Sequence, residues 1–219
     1  MQLEEVIDRL RAMGDERNRA GMARFGIATD RAFGVSVVNI RKLAKETGKD
    51  HALALELWNT GIHEARILAS VIDVPKAVTE EQMEQWVSDL DSWDLCDQCC
   101  ANLFDKTPFA AAKVAEWSER EPEFEKRAAF SLLAYLAVHN KKASDADFLP
   151  FLRIIVREST DERNFVKKAV NWSLRQIGKR NPTLNKAAIE TAQEIASLPS
   201  RSARWIAKDA LRELVGREA

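Results

Sequence analysis

The sequence predicts an all-α protein on the strength of three observations. Nearly every segment carries apolar residues at helical spacing, whereas segments with strand character are almost absent. Glycine and proline are scarce, with 8 and 6 among 219 residues, which argues against an all-β fold or a disordered chain. Residues that break helices recur about every twelve to twenty positions, so the pattern predicts roughly a dozen short helices with tight connections.

The helices can be followed along the chain. Residues 3–10 place apolar side chains at i, i+3, i+4 and i+7, which predicts the first helix. The one β-leaning run, residues 35–40, leads into the basic residues 41–45, and we interpret the whole piece as a helix that begins near Ser36. Helix breakers separate the later segments, at Gly14, Gly34, residues 48–50, Gly61, Pro75, Ser92, Pro108, Pro122, Ser144, residues 178–182 and Pro199.

Some of these helices are apolar on more than one side, as in residues 52–58 and 128–136. A helix buried on two sides lies between neighbours, so the pattern favours an α-solenoid of tandem helix pairs, HEAT-like or armadillo-like. A compact irregular bundle is the alternative. No linker is rich in Pro, Gly or Ser, so we expect one domain over residues 1–219. A ligand is expected on the concave side of such a solenoid, in a basic groove.

Charge and composition limit the classes of function. The net charge is −1, which excludes a uniformly basic nucleic-acid-binding protein but not a local basic face. Residues 1–120 hold 15 basic and 21 acidic side chains, and residues 121–219 hold 18 and 13, so the chain is polarised. No apolar run approaches the ~20 residues that span a bilayer, and the charged N-terminus has no signal-peptide core. We expect a cytoplasmic monomer with no membrane partner.

The most informative segment is residues 163–189, which hold seven basic residues and no acid. Helical spacing predicts a buried stripe of four residues, Val166, Val170, Leu174 and Ile177. It puts four others on a second face, Lys168, Trp172, Arg175 and Lys179. Three cations around an indole are suited to nucleic-acid binding, because the cations can bind a polyphosphate and the indole can stack on a base or contact a sugar. The alternative, a solvated cationic face whose Trp packs under a neighbouring helix, is equally compatible with the spacing.

A second segment, residues 91–100, is predicted to be a helix with Ser92 at the N-cap. Trp93 and Asp97 lie at i and i+4 and share a face, while Leu95 and Cys99 point towards the core. Three interpretations are open: a core anchor with a salt bridge, a metal site, and a carboxylate beside an aromatic wall that stabilises a developing cation.

The metal interpretation of this segment is disfavoured. Zinc sites usually bring paired Cys or His from separate segments, and the three histidines, at positions 51, 63 and 139, show no ligand spacing. We interpret Cys96, Cys99 and Cys100 as reduced thiols, since buried cysteine is ordinary core filler. The chain lacks a Gly-rich phosphate loop, GxSxG and HExxH, so we expect neither a metal nor a cofactor.

Taken together, the segments resemble the AlkD-type DNA glycosylases, a DNA alkylation repair family built from HEAT-like repeats. The resemblance covers almost the whole chain and depends on the order and spacing of five individually weak motifs. They are residues 33–45, 63–69 (HEARILA), 93–97 (WDLCD), 126–129 (KRAA) and 165–175 (FVKKAVNWSLR).

The resemblance implies an enzyme that hydrolyses the N-glycosidic bond of cationic N3- and N7-alkylpurines in duplex DNA, without a base-flipping pocket. It implies that Asp97 is the catalytic carboxylate, that Trp93 and Trp172 line the cleft and that Arg127 contacts DNA. Lys168, Arg175 and Lys179 would hold phosphates. Two departures concern aromatic residues: Phe124 stands where the family often has Trp, and Trp205 is either DNA-facing or a cap on the last repeat, which we favour.

Overall fold

A computed structural model describes residues 1–217 of the chain. This part contains thirteen α-helices, two short 3-10 helices and no strand, which confirms the all-α prediction. It divides into two compact units, residues 1–107 and the residues from Pro108 onwards. The single domain predicted over residues 1–219 stays a prediction, and its last two residues lie outside the described part. None of the helices in residues 1–217 has the length and apolar character that crossing a membrane requires.

The first unit holds seven α-helices and a 3-10 helix at Phe104–Lys106. The α-helices are α1 (Leu3–Ala12), α2 (Glu16–Arg24), α3 (Val37–Thr47), α4 (His51–Asn59), α5 (His63–Ile72), α6 (Glu80–Ser88) and α7 (Trp93–Asn102). The predicted start of a helix near Ser36 is confirmed, because Ser36 is the N-cap of α3 and its hydroxyl accepts a hydrogen bond from the Asn39 amide.

The core of the first unit is built around two stacked indoles. The rings of Trp58 and Trp86 are 3.9 Å apart and nearly parallel. The indole N–H of Trp58 donates to the Asp89 carboxylate at 2.8 Å, which satisfies the one polar group of this buried side chain. The Arg66 guanidinium lies over the Trp58 ring at 5.1 Å and donates to the Asp89 carbonyl. This cluster joins α4, α5 and α6, and α5 also packs against α3 and α7.

The second unit holds six α-helices and a 3-10 helix at Val215–Arg217. The α-helices are α8 (Ala110–Ser118), α9 (Glu123–His139), α10 (Asp145–Glu158), α11 (Asn164–Gly178), α12 (Pro182–Ala196) and α13 (Arg201–Leu214). Helix α9 is buried on two sides, between α8 and α11, as its apolar pattern predicts. The predicted stripe of α11 is confirmed, since Val166, Val170, Leu174 and Ile177 are fully buried.

Candidate functional site

Helix α7 carries the Trp–Asp pair. Trp93 and Asp97 are half-buried and one turn apart, while Leu95 and Cys99 are fully buried, as predicted. Ser92 occupies the predicted N-cap position, but its side chain makes no capping hydrogen bond and its hydroxyl instead donates to the Asp91 carboxylate at 3.1 Å. The helix therefore presents one polar, accessible face that bears an indole and a carboxylate.

The Trp93 ring is oriented by a backbone group far away in the sequence. Its indole N–H donates to the carbonyl oxygen of Phe25 at 3.0 Å. The Phe25 side chain itself is 71% exposed. The sequence carries no signal for this contact, because any residue at position 25 presents the same carbonyl.

A buried histidine holds the first turn of α7. His63, at the start of α5, is 5% exposed, and its Nε2 lies 2.9 Å from a carboxylate oxygen of Asp94. Burial is the largest influence on the pKa of His63 and lowers it, but the hydrogen bond and charge of Asp94, with the charges of Glu64 and Asp91, outweigh burial and raise the pKa. The charged form of His63 is thereby favoured, and it fixes Asp94 between Trp93 and Asp97.

The neighbouring residue of α5, Glu64, binds the loop before α3. Its fully buried carboxylate accepts hydrogen bonds from the backbone amides of residues 33–35, at distances between 2.7 and 3.1 Å. Gly34 is required there, since its φ is +81° and a Cβ would lie 2.2 Å from the Asp15 carbonyl oxygen. Two of the motifs found in the sequence, residues 33–45 and 63–69, are therefore in direct contact.

The C-terminal half of α7 is held by α3. The Arg41 guanidinium donates to the side-chain oxygens of Gln98 and Asn102, each at 3.2 Å. The Asn102 amide in turn donates to the Ser70 hydroxyl of α5 at 3.1 Å. With the contacts of Trp93 and Asp94, these bonds fix both ends of the helix within the first unit.

The three cysteines of α7 are all fully buried and unpaired with one another by disulfides. Burial raises the pKa of the Cys99 and Cys100 thiols well above their ordinary value, and in Cys100 the hydrogen bond with Cys96 and its charge add to the effect. These two sulfurs are protonated core atoms, as interpreted from the sequence. No group of three or more His, Cys, Asp or Glu side chains in residues 1–217 is placed to hold a metal ion.

In the second unit, Trp172 lies on α11 and is half-buried. It packs edge-on against Tyr135 of α9, with ring centroids 5.0 Å apart and planes at 85°. The neighbouring α11 residue Asn171 is buried and donates its amide to Asp209 of α13 at 2.7 Å. The indole is thus supported by α9, with part of its surface open to solvent.

Arg127, the predicted DNA contact on α9, is 6% exposed. Its guanidinium donates to the carbonyl oxygen of Phe165, at the start of α11, at 2.7 Å. Next to it, Lys126 forms a buried salt bridge with Glu158 at 2.7 Å. The KRAA motif therefore joins α9 to α10 and α11.

The three predicted phosphate-binding cations of α11 differ in their surroundings. Lys168 is exposed. Arg175 and Lys179, the latter at the C-cap of the helix, both bind the carboxylate of Glu213 on α13, at 2.6 and 2.7 Å. Burial of Glu213 raises its pKa, but its bonds to Lys179 and Arg175 outweigh this and lower the pKa, so the carboxylate is charged. Together with Asp209, which lies 3.7 Å from Arg175 Nε, it offsets the charges of both cations.

The chain is similar to a known protein family and to a solved structure. The model of a protein family described as DNA alkylation repair enzyme matches residues 6–214. One solved structure of similar fold has a TM-score of 0.82 and 22% sequence identity, over 99% of this chain and 97% of that chain. It is described as a new family of proteins related to the HEAT-like repeat DNA glycosylases with affinity for branched DNA structures. This likeness confirms the predicted HEAT-like fold. No curated protein matches the sequence.

Proposed function

Since the chain belongs to the DNA alkylation repair enzyme family, we propose that it is a DNA glycosylase that excises cationic N3- and N7-alkylpurines from duplex DNA. The reaction is hydrolysis of the N-glycosidic bond, and no base-flipping pocket takes part. The proposed catalytic residues are Asp97, Trp93 and Trp172. The proposed DNA-binding residues are Arg127, Lys168, Arg175 and Lys179. Lys168 is exposed, whereas Arg175 and Lys179 must exchange Glu213 for phosphates, and Arg127 must give up its bond to the Phe165 carbonyl.

The chemistry requires few functional groups. An N3- or N7-alkylated purine is already positively charged, so it leaves as a neutral base and no general acid has to protonate it. The positive charge moves to the deoxyribose, which becomes oxocarbenium-like before water adds to C1′ and loses a proton. The Asp97 carboxylate opposes this charge and orients the water, and the electron-rich indole faces contribute roughly 0.5–2 kcal/mol each.

The observation that supports this proposal best is the anchoring of α7, the helix that carries Asp97. This helix is held at its start by His63 and the Phe25 carbonyl and in its second half by Arg41, which binds Gln98 and Asn102. A charge held in place before the reaction stabilises a transition state more than a mobile one, because little reorganisation is needed as the cation develops. A carboxylate whose only task was a surface salt bridge would gain little from such support.

The test is release of free base from duplex DNA that carries N7-methylguanine. We expect the wild-type protein to release it and Asp97→Asn to lose about a hundredfold or more of the rate, by analogy with removal of one preorganised electrostatic group. Asp8→Asn is the matched control, because Asp8 is an exposed acid of α1 that pairs with Arg11 on the same helix. Wild-type protein that releases no base above background contradicts the proposal.

A second candidate function is a DNA binder without chemistry. It is favoured by the solved structure of similar fold, which is described as having affinity for branched DNA structures. This candidate predicts salt-sensitive DNA binding and no base release. The presence of both Trp93 and Asp97 favours excision over it. A protein that binds no DNA even at low salt would instead indicate a HEAT-type scaffold for a protein partner.

A further inference from the structure

The outer face of α13 is a basic surface with an indole within it. Five exposed side chains of this helix fall on one side: Arg201, Arg204, Trp205, Lys208 and Arg212. At 100° per residue they lie within an arc of about 100°, which is one continuous face. We call these five residues the α13 face.

Both acids of α13 lie on the side of the helix that contacts α11. Asp209 accepts a hydrogen bond from the buried Asn171 amide, and Glu213 binds the Arg175 guanidinium. On the α13 face, Arg212 pairs with Asp209. Arg204 and Lys208 form no ion pair with any carboxylate of residues 1–217. The two acids of the helix therefore bind side chains of α11, and one of them also binds Arg212, while Arg204 and Lys208 extend into the solvent.

Trp205 is an unusual residue for such a position. Sequence reasoning favours a cap on the last repeat, but the side chain is 40% exposed. The ammonium group of Lys167, on α11, lies 5.3 Å from the centre of its ring. This cation–π contact supports the indole at the edge of α11 while much of its surface stays in water. A large exposed aromatic group surrounded by cations is the arrangement that stacks a nucleic-acid base.

The α13 face is also rigid. The buried side of the helix is apolar and fully packed, with Ala203, Ile206 and Ala210 at or near zero exposure. The first turn is fixed by Glu162, whose carboxylate accepts hydrogen bonds from the backbone amides of residues 201–202 and from the Ser200 hydroxyl. A rigid platform loses little conformational entropy when a ligand binds.

We propose that the α13 face binds an unpaired DNA strand, with its cations on the phosphates and Trp205 stacked on a base. The strand is unpaired because duplex bases cover each other's faces, whereas a single strand offers them to an indole. This inference rests on the proposed action on DNA, but it does not depend on Asp97 or on excision. It gives the protein a second contact with DNA wherever a duplex continues into a single strand.

The test compares the binding of two undamaged oligonucleotides to the full chain, a blunt duplex and the same duplex with a short unpaired tail. We expect the tail to tighten binding to the wild-type protein. Trp205→Ala should weaken binding of the tailed DNA roughly 5- to 150-fold, the range for loss of one stacked base, and should change blunt-duplex binding less than about twofold. Trp205→Phe should keep most of the affinity. Leu149→Ala, which removes an exposed apolar side chain of α10, is the matched control.

The cations are tested separately through salt dependence. For the tailed DNA, the double substitution Arg204→Ala and Lys208→Ala should reduce the slope of log affinity against log salt by roughly 1.4, about 0.7 for each phosphate contact on a single strand. Lys186→Ala, an exposed lysine of α12, should leave the slope unchanged. An unchanged slope in the double variant contradicts the assignment of these two residues.

The outcomes separate this inference from the proposed function. If Trp205→Ala binds tailed DNA as tightly as wild type, stacking is absent and the inference is overturned even when base release from blunt duplex is intact. If heparin displaces the tailed DNA and no variant of Trp205 matters, the surface is a general polyanion or acidic-protein site, which also overturns it. Base release lost in Asp97→Asn, with tail binding unaffected, supports both proposals independently.

Discussion

At the residue scale, the buried His63–Asp94 pair predicts a pH-dependent stability. The folded-state pKa of His63 is raised above the ordinary value of about 6.5. The pair therefore contributes fully to stability below about pH 6.5, and the contribution is lost as the pH rises through the raised pKa. We expect the free energy of unfolding, measured by urea titration, to fall over this interval.

The control for this prediction is Asp94→Asn. The amide keeps the shape of the side chain but removes the charge that raises the pKa of His63, so the pH dependence should flatten. His51 also pairs with a carboxylate, that of Asp73. Both residues are present in the wild type and in the variant, so their contribution cancels when the two pH profiles are compared. The same slope in wild type and variant would show that the pH dependence does not come from His63.

Single residues also show where sequence reasoning stops. The shared face of Trp93 and Asp97 and the burial of Cys99 follow from helical spacing, and the structure agrees. The Phe25 carbonyl and the Glu64 carboxylate carry no such signal. Both contacts join a side chain to backbone groups at least 29 residues away. The periodicity of a helix contains no information about such pairs.

At the element scale, the close packing of α11, α12 and α13 depends on Gly178, which has no side chain. A Cβ at Gly178 would lie 2.8 Å from Leu214 and 2.9 Å from Ala188. We expect Gly178→Ala to destabilise the protein by about 1–2 kcal/mol, because overpacking costs about 1–3 kcal/mol and the gain in helix propensity, up to about 1 kcal/mol, offsets part of it. The shift of the urea midpoint at constant m-value measures the effect.

Gly21→Ala is the matched control for the packing argument. Gly21 lies within α2, and a Cβ there meets nothing within 4 Å. Helix propensity alone then applies, and the substitution should stabilise the protein by about 0.5–1 kcal/mol. If Gly178→Ala lowers the free energy of unfolding and Gly21→Ala raises it, the close contact at Gly178 is supported. Equal stabilisation by both would contradict it.

Most helix boundaries could be predicted, because caps and breakers are local signals. Ser36, Asp50 and Asn181 each stand at an N-cap and accept a hydrogen bond from a backbone amide three residues on. Ser92 stands at the predicted cap but bonds elsewhere, since the Asp91 carboxylate competes for its hydroxyl. The position of a helix end is thus more predictable than the bond that stabilises it.

At the scale of the whole molecule, the distribution of charge predicts which cations bind DNA. The chain has a net charge of −1, yet residues 121–219 carry an excess of five positive charges. Lys168 is exposed, whereas Arg175 shares Glu213 with Lys179. We expect Lys168→Ala to lower the salt slope of duplex binding by about 0.9, the value for one phosphate contact. Arg175→Ala should lower it much less.

The measurement is a series of affinities at increasing salt concentration. Lys186→Ala again serves as the control, since it removes an exposed lysine from α12. Equal losses of slope in Lys168→Ala and Arg175→Ala would mean that DNA displaces Glu213 from its partners, and the structural distinction between the two cations would be wrong.

The same charges explain why the site was only partly predictable. Spacing places Lys168, Arg175 and Lys179 on one face of a helix, which is correct as far as helical geometry goes. It does not reveal that Glu213 of α13, thirty-eight residues after Arg175, forms ion pairs with two of the three. Tertiary contacts decide whether a cation can bind a phosphate or is already paired with an acid. The binding capacity of a basic face therefore follows only once the elements that pack against it are placed.

The burial of the α7 cysteines has a practical consequence. A thiol that is protonated and sealed from solvent reacts slowly with peroxide or alkylating reagents, since the thiolate is the reactive form. Any labelling of these sulfurs under native conditions must therefore follow opening of the first unit. At reagent concentrations high enough for labelling to outpace reclosing, the rate of labelling equals the rate at which the helix that bears Asp97 opens.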